Sequence, residues 1–154
     1  MTLPDHIARR LRKWRWPPLA SYAGFTSEER IRAWQLQWLL VDLGFFNRPT
    51  RCSITGSTDR VGLHDENYHE PWIAFPISAS AHSTLHRRFK SPQPWLDLVA
   101  KHRSNGDEWF CHLSLEPLDL AAELRHRHGP GVTNIFAAAR ARWPIDERLA
   151  GRGR

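Results

Sequence analysis

The sequence predicts an α+β fold, mainly helical, organised as a single domain over residues 1–154 around a central hairpin–loop–helix (ββα) module. Three observations predict it. Residues 26–43 keep apolar side chains at helical spacing between a capping signal and a glycine stop. Two short runs, Thr50–Ile54 and Arg60–His64, flank the turn-forming Gly56-Ser57-Thr58-Asp59 and read as a β-hairpin. A helical pattern resumes from about Ser78 to Phe89. At 154 residues and 17.9 kDa the chain is long enough to bury a sizeable core. The module spans 50–95, between a helical part at 1–49 and helices with one strand at 96–154.

Residues 4–16 place His6, Arg9, Arg10, Arg12, Lys13 and Arg15 among Ile7, Leu11, Trp14 and Trp16, a short basic amphipathic helix stopped by Pro17-Pro18. Basic residues interleaved with indoles can grip phosphates and stack on bases. The same stripe can equally dock on the core, and the two uses are compatible. Thr26 and Glu29 then stand at capping-box spacing. Ile31, Trp34, Trp38, Leu39, Val41 and Leu43 form the buried face of the following helix, and Gly44 ends it. Beyond the hairpin, His64, Asp65, Glu66, Asn67, Tyr68 and His69 make one polar cluster, and Pro71–Pro76 is a loop with apolar anchors.

Ser91-Pro92 opens a further helix carrying Trp95, Leu96, Leu98 and Val99, and Asn105-Gly106-Asp107 is a turn. Trp109, Cys111, Leu113 and Leu115 alternate as one face of a strand, which makes Cys111 a core residue. Helices over Pro117–His128 and Thr133–Trp143 follow, separated by Gly129-Pro130-Gly131. The basic tail from Arg148 reads as frayed.

Hydrophobic residues make up 41% and charged residues 25%, as in a folded globular protein. A net charge of +6, a pI near 10.1 and eight tryptophans favour an acidic partner, most simply nucleic acid and in particular DNA. Two cysteines make no disulfide framework and suit a reducing cytosol, so the expected location is cytoplasmic. No apolar run approaches the ~18 residues of a membrane span, and the first residues lack a signal-peptide pattern. There is no phosphate-cradling glycine loop and no Ser-His-Asp order.

The most legible chemistry lies at His82 and His86. Positions i and i+4 are stacked neighbours on a helix, so two imidazoles so spaced can share one metal ion. His64 stands upstream, at the end of an apolar run. Taken in order, Cys52-Ser53-Ile54-Thr55-Gly56, then Leu63-His64-Asp65-Glu66-Asn67-Tyr68 with Pro71, then His82-x3-His86-Arg87-Arg88-Phe89 with Pro94-Trp95, resemble the HNH (ββα-metal) endonuclease family. The resemblance covers about the middle third of the chain. It departs from the family where zinc-bearing members carry further cysteines, here Thr55, Ser78 and Ala81, so no structural zinc is expected.

The resemblance implies metal-dependent hydrolysis of DNA phosphodiester bonds with one divalent ion (Mg, Mn, Ni or Zn). His82 and His86 match the helix ligands. His64 matches either the third ligand or the general base. Taking it as the ligand puts Asp65 in the base position, leaves Asn67 to orient His64 or the loop, and keeps Glu66 as a reserve carboxylate. Arg87 and Arg88 follow on the same helix and can hold flanking phosphates, and a solvated helix end explains them as well. The alternative function is a non-catalytic nucleic-acid-binding or regulatory protein on a degenerate HNH scaffold. A protein-binding role would suit the tryptophans.

Overall fold

The computed structural model describes residues 3–151 and shows an α+β, mostly helical chain. Among the described residues there are seven α-helices, two short 3-10 helices and one two-stranded sheet. The chain divides into two compact units: Met1–Arg48, Asn67–Ile73 and Asp119–Arg154 form unit one, and Pro49–Glu66 with Ala74–Leu118 form unit two.

Unit one is helical. Its organising element is α2 (Ser27–Asp42), started by the expected capping box: the Thr26 side chain accepts from the Glu29 N–H, and the Glu29 carboxylate accepts from the Thr26 N–H. Ala33, Leu36, Leu39, Leu40 and Val41 are buried along it, whereas Trp34 and Trp38 are half-buried. The basic N-terminal segment departs from expectation. Only α1 (Asp5–Ala8) is helical, with Ile7 fully buried. Tertiary contacts claim the rest. Arg12 leaves the helical path to make a two-pronged bond to Asp42 at 2.6 and 2.9 Å and lies over Trp38. Trp14 and Trp16 pack edge-on against Trp34.

Helices α5 (Leu120–His128), α6 (Ile135–Arg142) and α7 (Ile145–Gly151) complete unit one, with a 3-10 turn over Pro130–Thr133. The segment from Arg148 that read as frayed is thus helical as far as Gly151, and Leu149 is buried. The last three residues lie outside the described chain. Gly24 sits at φ +79°, where a Cβ would come within 1.9 Å of the carboxylate of Asp119, the cap of α5. The positive φ and this close approach both favour glycine there.

One carboxylate joins all three segments of unit one. Glu29 caps α2, pairs with Arg125 of α5, and lies 3.4 Å from His69 Nε2. Burial raises the Glu29 carboxyl, and the Thr26 N–H, Arg125 and His69 outweigh it, so the group sits below its ordinary value. His69 is 2% exposed, and burial holds it below its ordinary value despite Glu29.

Unit two contains β1 (Val61–His64) and β2 (Phe75–Ser78), paired antiparallel with His64 opposite Phe75 and Val61 opposite Ser78. This corrects the predicted hairpin. Residues 50–54 are not a strand: the Gly56 N–H donates to Cys52 O, and the Cys52 N–H donates to Ser57 O, closing a tight turn. The Ser53 N–H reaches Pro76 O, so the turn leans on β2. Ser78 then caps α3 (Ala79–Arg87), and α4 (Pro92–His102) starts on its proline. The predicted strand at Trp109–Leu115 is instead a 3-10 turn over Trp109–His112, because the Cys111 N–H folds back to Glu108 O.

Cys52, Ile54, Ile77, Ala81, Leu85, Trp95 and Phe110 form the core of this unit. Cys52 and Ala81, two of the four positions the resemblance would give to zinc ligands, meet in this apolar cluster. Ser78 is buried, and the Thr55 N–H points at the Cys52 sulfur from 3.5 Å. Burial pushes the Cys52 thiol up, while bonds from Thr55 and from the Ser78 and Ile54 backbone outweigh it and bring it down to about 7.

Candidate metal centre

The site is assembled by the pleat and the helical repeat of unit two. Helix α3 carries two adjacent i, i+4 rows. Ala81 and Leu85 face the core, and His82 and His86 occupy the neighbouring row, half-buried. His64 is the last residue of β1 and is 1% exposed. Packing α3 behind the sheet therefore brings three imidazoles together. His64 Nδ1 lies 3.1 Å from His82 Nε2, and His86 Nε2 lies 2.9 Å from that same atom. All three ligand nitrogens fall within 4.8 Å of one another.

Those separations suit a shared ion. At a metal–nitrogen distance of about 2.0–2.1 Å, nitrogens subtending a right angle stand about 2.9 Å apart, and tetrahedral ones about 3.3 Å. The two separations at His82 Nε2, 3.1 and 2.9 Å, fall within that span. His64, His82 and His86 can therefore hold a metal ion, as the spacing in the sequence suggested.

Three further side chains, Glu66, Arg88 and Trp109, surround the histidines. Glu66, a reserve carboxylate by its place in the sequence, sets Oε1 2.8 Å from His64 Nε2. Arg88 is not a solvated helix end: it is 1% exposed, donates to Ser114 O at 2.7 Å and to Leu85 O at 3.0 Å, and brings Nη2 3.7 Å from Glu66 Oε2. Trp109 stacks on the His64 ring at 5.8 Å and on Phe75 at 4.5 Å, with its indole N–H donated to Ser53 Oγ. Spacing in the sequence carries no signal for this cover, because residue 109 comes from a distant turn.

Other predicted site residues are placed as follows. Asp65 is buried directly after His64. Asn67 belongs to unit one, where its amide shapes a turn by accepting from the His69 N–H and donating to Glu70. Arg87 is exposed, its Nε donating to Ser83 O at 3.3 Å. Arg9, Arg10 and Lys13 are exposed in unit one, and Arg12 is held by Asp42. None of the described helices is long and apolar enough to cross a membrane.

Comparison with protein-family models, with curated proteins and with solved structures gave no match, so the functional reading rests on this chain's own geometry. That geometry defines a class of site, three histidines from a strand end and a helix able to hold one metal ion.

Proposed function

We propose that the protein is a metal-dependent, HNH-like endonuclease hydrolysing DNA phosphodiester bonds. The observation that carries this reading is the convergence of His64, His82 and His86 on one point, from a strand end and the helix behind it. In this reading the three imidazoles hold one divalent ion. An all-imidazole donor set favours a borderline ion such as Ni²⁺ or Zn²⁺ over Mg²⁺, which prefers oxygen ligands. When bound, the ion supplies charge stabilisation at the phosphoryl and leaving oxygens.

The chain's own residues do the remainder. By the resemblance, Asp65, buried directly after His64, would take the proton of the attacking water, a role open to a carboxylate. Exposed Arg87, one residue beyond His86, steadies a flanking phosphate. Glu66 and Trp109 hold the His64 ring in place by hydrogen bond and by stacking. The net charge of +6 supports a polyanionic substrate.

Plasmid cleavage by the purified protein in Mg²⁺, Mn²⁺, Ni²⁺, Zn²⁺ or EDTA tests the proposal, with retention of DNA read on the same gel. The expected result is cutting that needs metal and is lost in His82→Ala, with retention preserved. Retention without cutting under every metal overturns the enzyme and leaves a DNA-binding protein.

A further inference from the structure

The second nitrogen of His64 decides whether the first can bind a metal. A neutral imidazole has one N–H and one lone pair, and the partner of one nitrogen selects the tautomer. His64 Nε2 faces Glu66 Oε1 at 2.8 Å, while Nδ1 faces His82 Nε2 at 3.1 Å. A carboxylate only accepts, so the proton belongs on Nε2 and the lone pair is left on Nδ1. The other oxygen of Glu66 lies 3.7 Å from Arg88 Nη2. Arg88 cannot readily turn away, being 1% exposed and committed to Ser114 O and Leu85 O.

We propose that Glu66, held by the buried Arg88, is the positioning residue that locks His64 as its Nε2–H tautomer and so presents Nδ1 to the metal. The inference rests on the three-histidine reading of the site and deepens it. Two of the three ligands and the arginine that governs the third lie on or at the end of one helix, α3, so its placement sets all three donors.

The arrangement makes an unusual demand on a near-isosteric variant. In Glu66→Gln the side chain still lies beside the Arg88 guanidinium, which only donates and attracts the oxygen end of an amide. The buried cation 3.7 Å away favours the amide oxygen on its side, which turns the NH₂ to His64 Nε2. That nitrogen must then accept, which drives the proton onto Nδ1, the atom needed for the metal. Glu66→Ala makes no such demand and leaves His64 free to choose its tautomer. The conservative variant should consequently be the more damaging one.

The test reads ring tautomers by ¹⁵N–¹H correlation NMR on the metal-free protein at about pH 8. Ni²⁺ and Zn²⁺ affinities are read by titration calorimetry. Wild type is expected to show His64 as Nε2–H and Glu66→Gln to show it as Nδ1–H. Affinity should fall by about 10–100-fold in Glu66→Gln, the range seen for groups that orient a metal ligand, and by less in Glu66→Ala. A wild-type His64 protonated on Nδ1 overturns the proposal without any variant. So does a Glu66→Gln protein that keeps the Nε2–H tautomer, or one that binds metal no worse than Glu66→Ala. Neither readout uses DNA, so a protein that passes both and cuts nothing refutes the nuclease reading alone.

Discussion

Replacing His82 with alanine removes the nitrogen nearest to both of its partners, 3.1 Å from His64 Nδ1 and 2.9 Å from His86 Nε2. The consequence can be sized through linkage, because an ion that binds only the folded state stabilises it by RT ln(1 + [L]/Kd). With Ni²⁺ held at about 100 times the wild-type Kd, that amounts to about 2.7 kcal/mol. Losing a direct ligand should weaken binding by at least about 100-fold, the upper end of the range for merely orienting groups. The same Ni²⁺ concentration then stabilises the variant by only about 0.4 kcal/mol. The gap of about 2.3 kcal/mol is large beside the 5–15 kcal/mol of a typical domain. Urea unfolding of wild type and His82→Ala, each with Ni²⁺ and with EDTA, measures it directly. Equal Ni²⁺-induced stabilisation in the two proteins would refute the site, since the ion would then be bound elsewhere.

Unit one should lose stability in acid in two steps. His69 has a folded value below its ordinary 6.5, so the unfolded chain takes up the proton first and stability falls as pH drops below about that value. Glu29, also lowered, contributes stability that is complete above its ordinary 4.5 and is lost as pH falls through its folded value. His69→Gln should flatten the upper step and also shrink the lower one, because His69 is among the partners that lower Glu29, as read from urea midpoints across the pH range. An unchanged profile would show that His69 is not held neutral by its surroundings. Gly24→Ala combines a positive φ of +79° with a Cβ 1.9 Å from Asp119 Oδ1, and should cost roughly 1–3 kcal/mol. A thermal melt equal to wild type would show that the α5 cap yields freely.

Where local chemistry alone decided the structure, the sequence was readable. Thr26 and Glu29 make the capping box their spacing announced, and Ser78, His82 and His86 form a helix with both rings on one row. The site was legible for the same reason: an i, i+4 pair needs no tertiary information, and His64 closed the triad through a strand end. The failures share an opposite cause. The run at 50–54 satisfies its backbone in its own turn, which leaves β1 to pair with a proline-containing segment that had read as loop. The alternation from Trp109 to Leu115 gave way to a 3-10 turn that lays Trp109 on His64. The basic helix at 4–16 shrank because Asp42 and Trp34 lie beyond any local window. Arg88 looked like a surface cation because its partners, Glu66 and Ser114, come from distant parts of the chain.

Glu29 lies 40 residues before His69 and 96 before Arg125, so one carboxylate gathers three stretches of backbone separated by long excursions. Closing each excursion costs chain entropy that grows only slowly with its length. A single anchor shared by several strands of chain acts as a rivet, and the loosening of one partner frees the others to reorient. Substitutions at Glu29, His69 and Arg125 should therefore be strongly coupled, each one removing most of what the others hold.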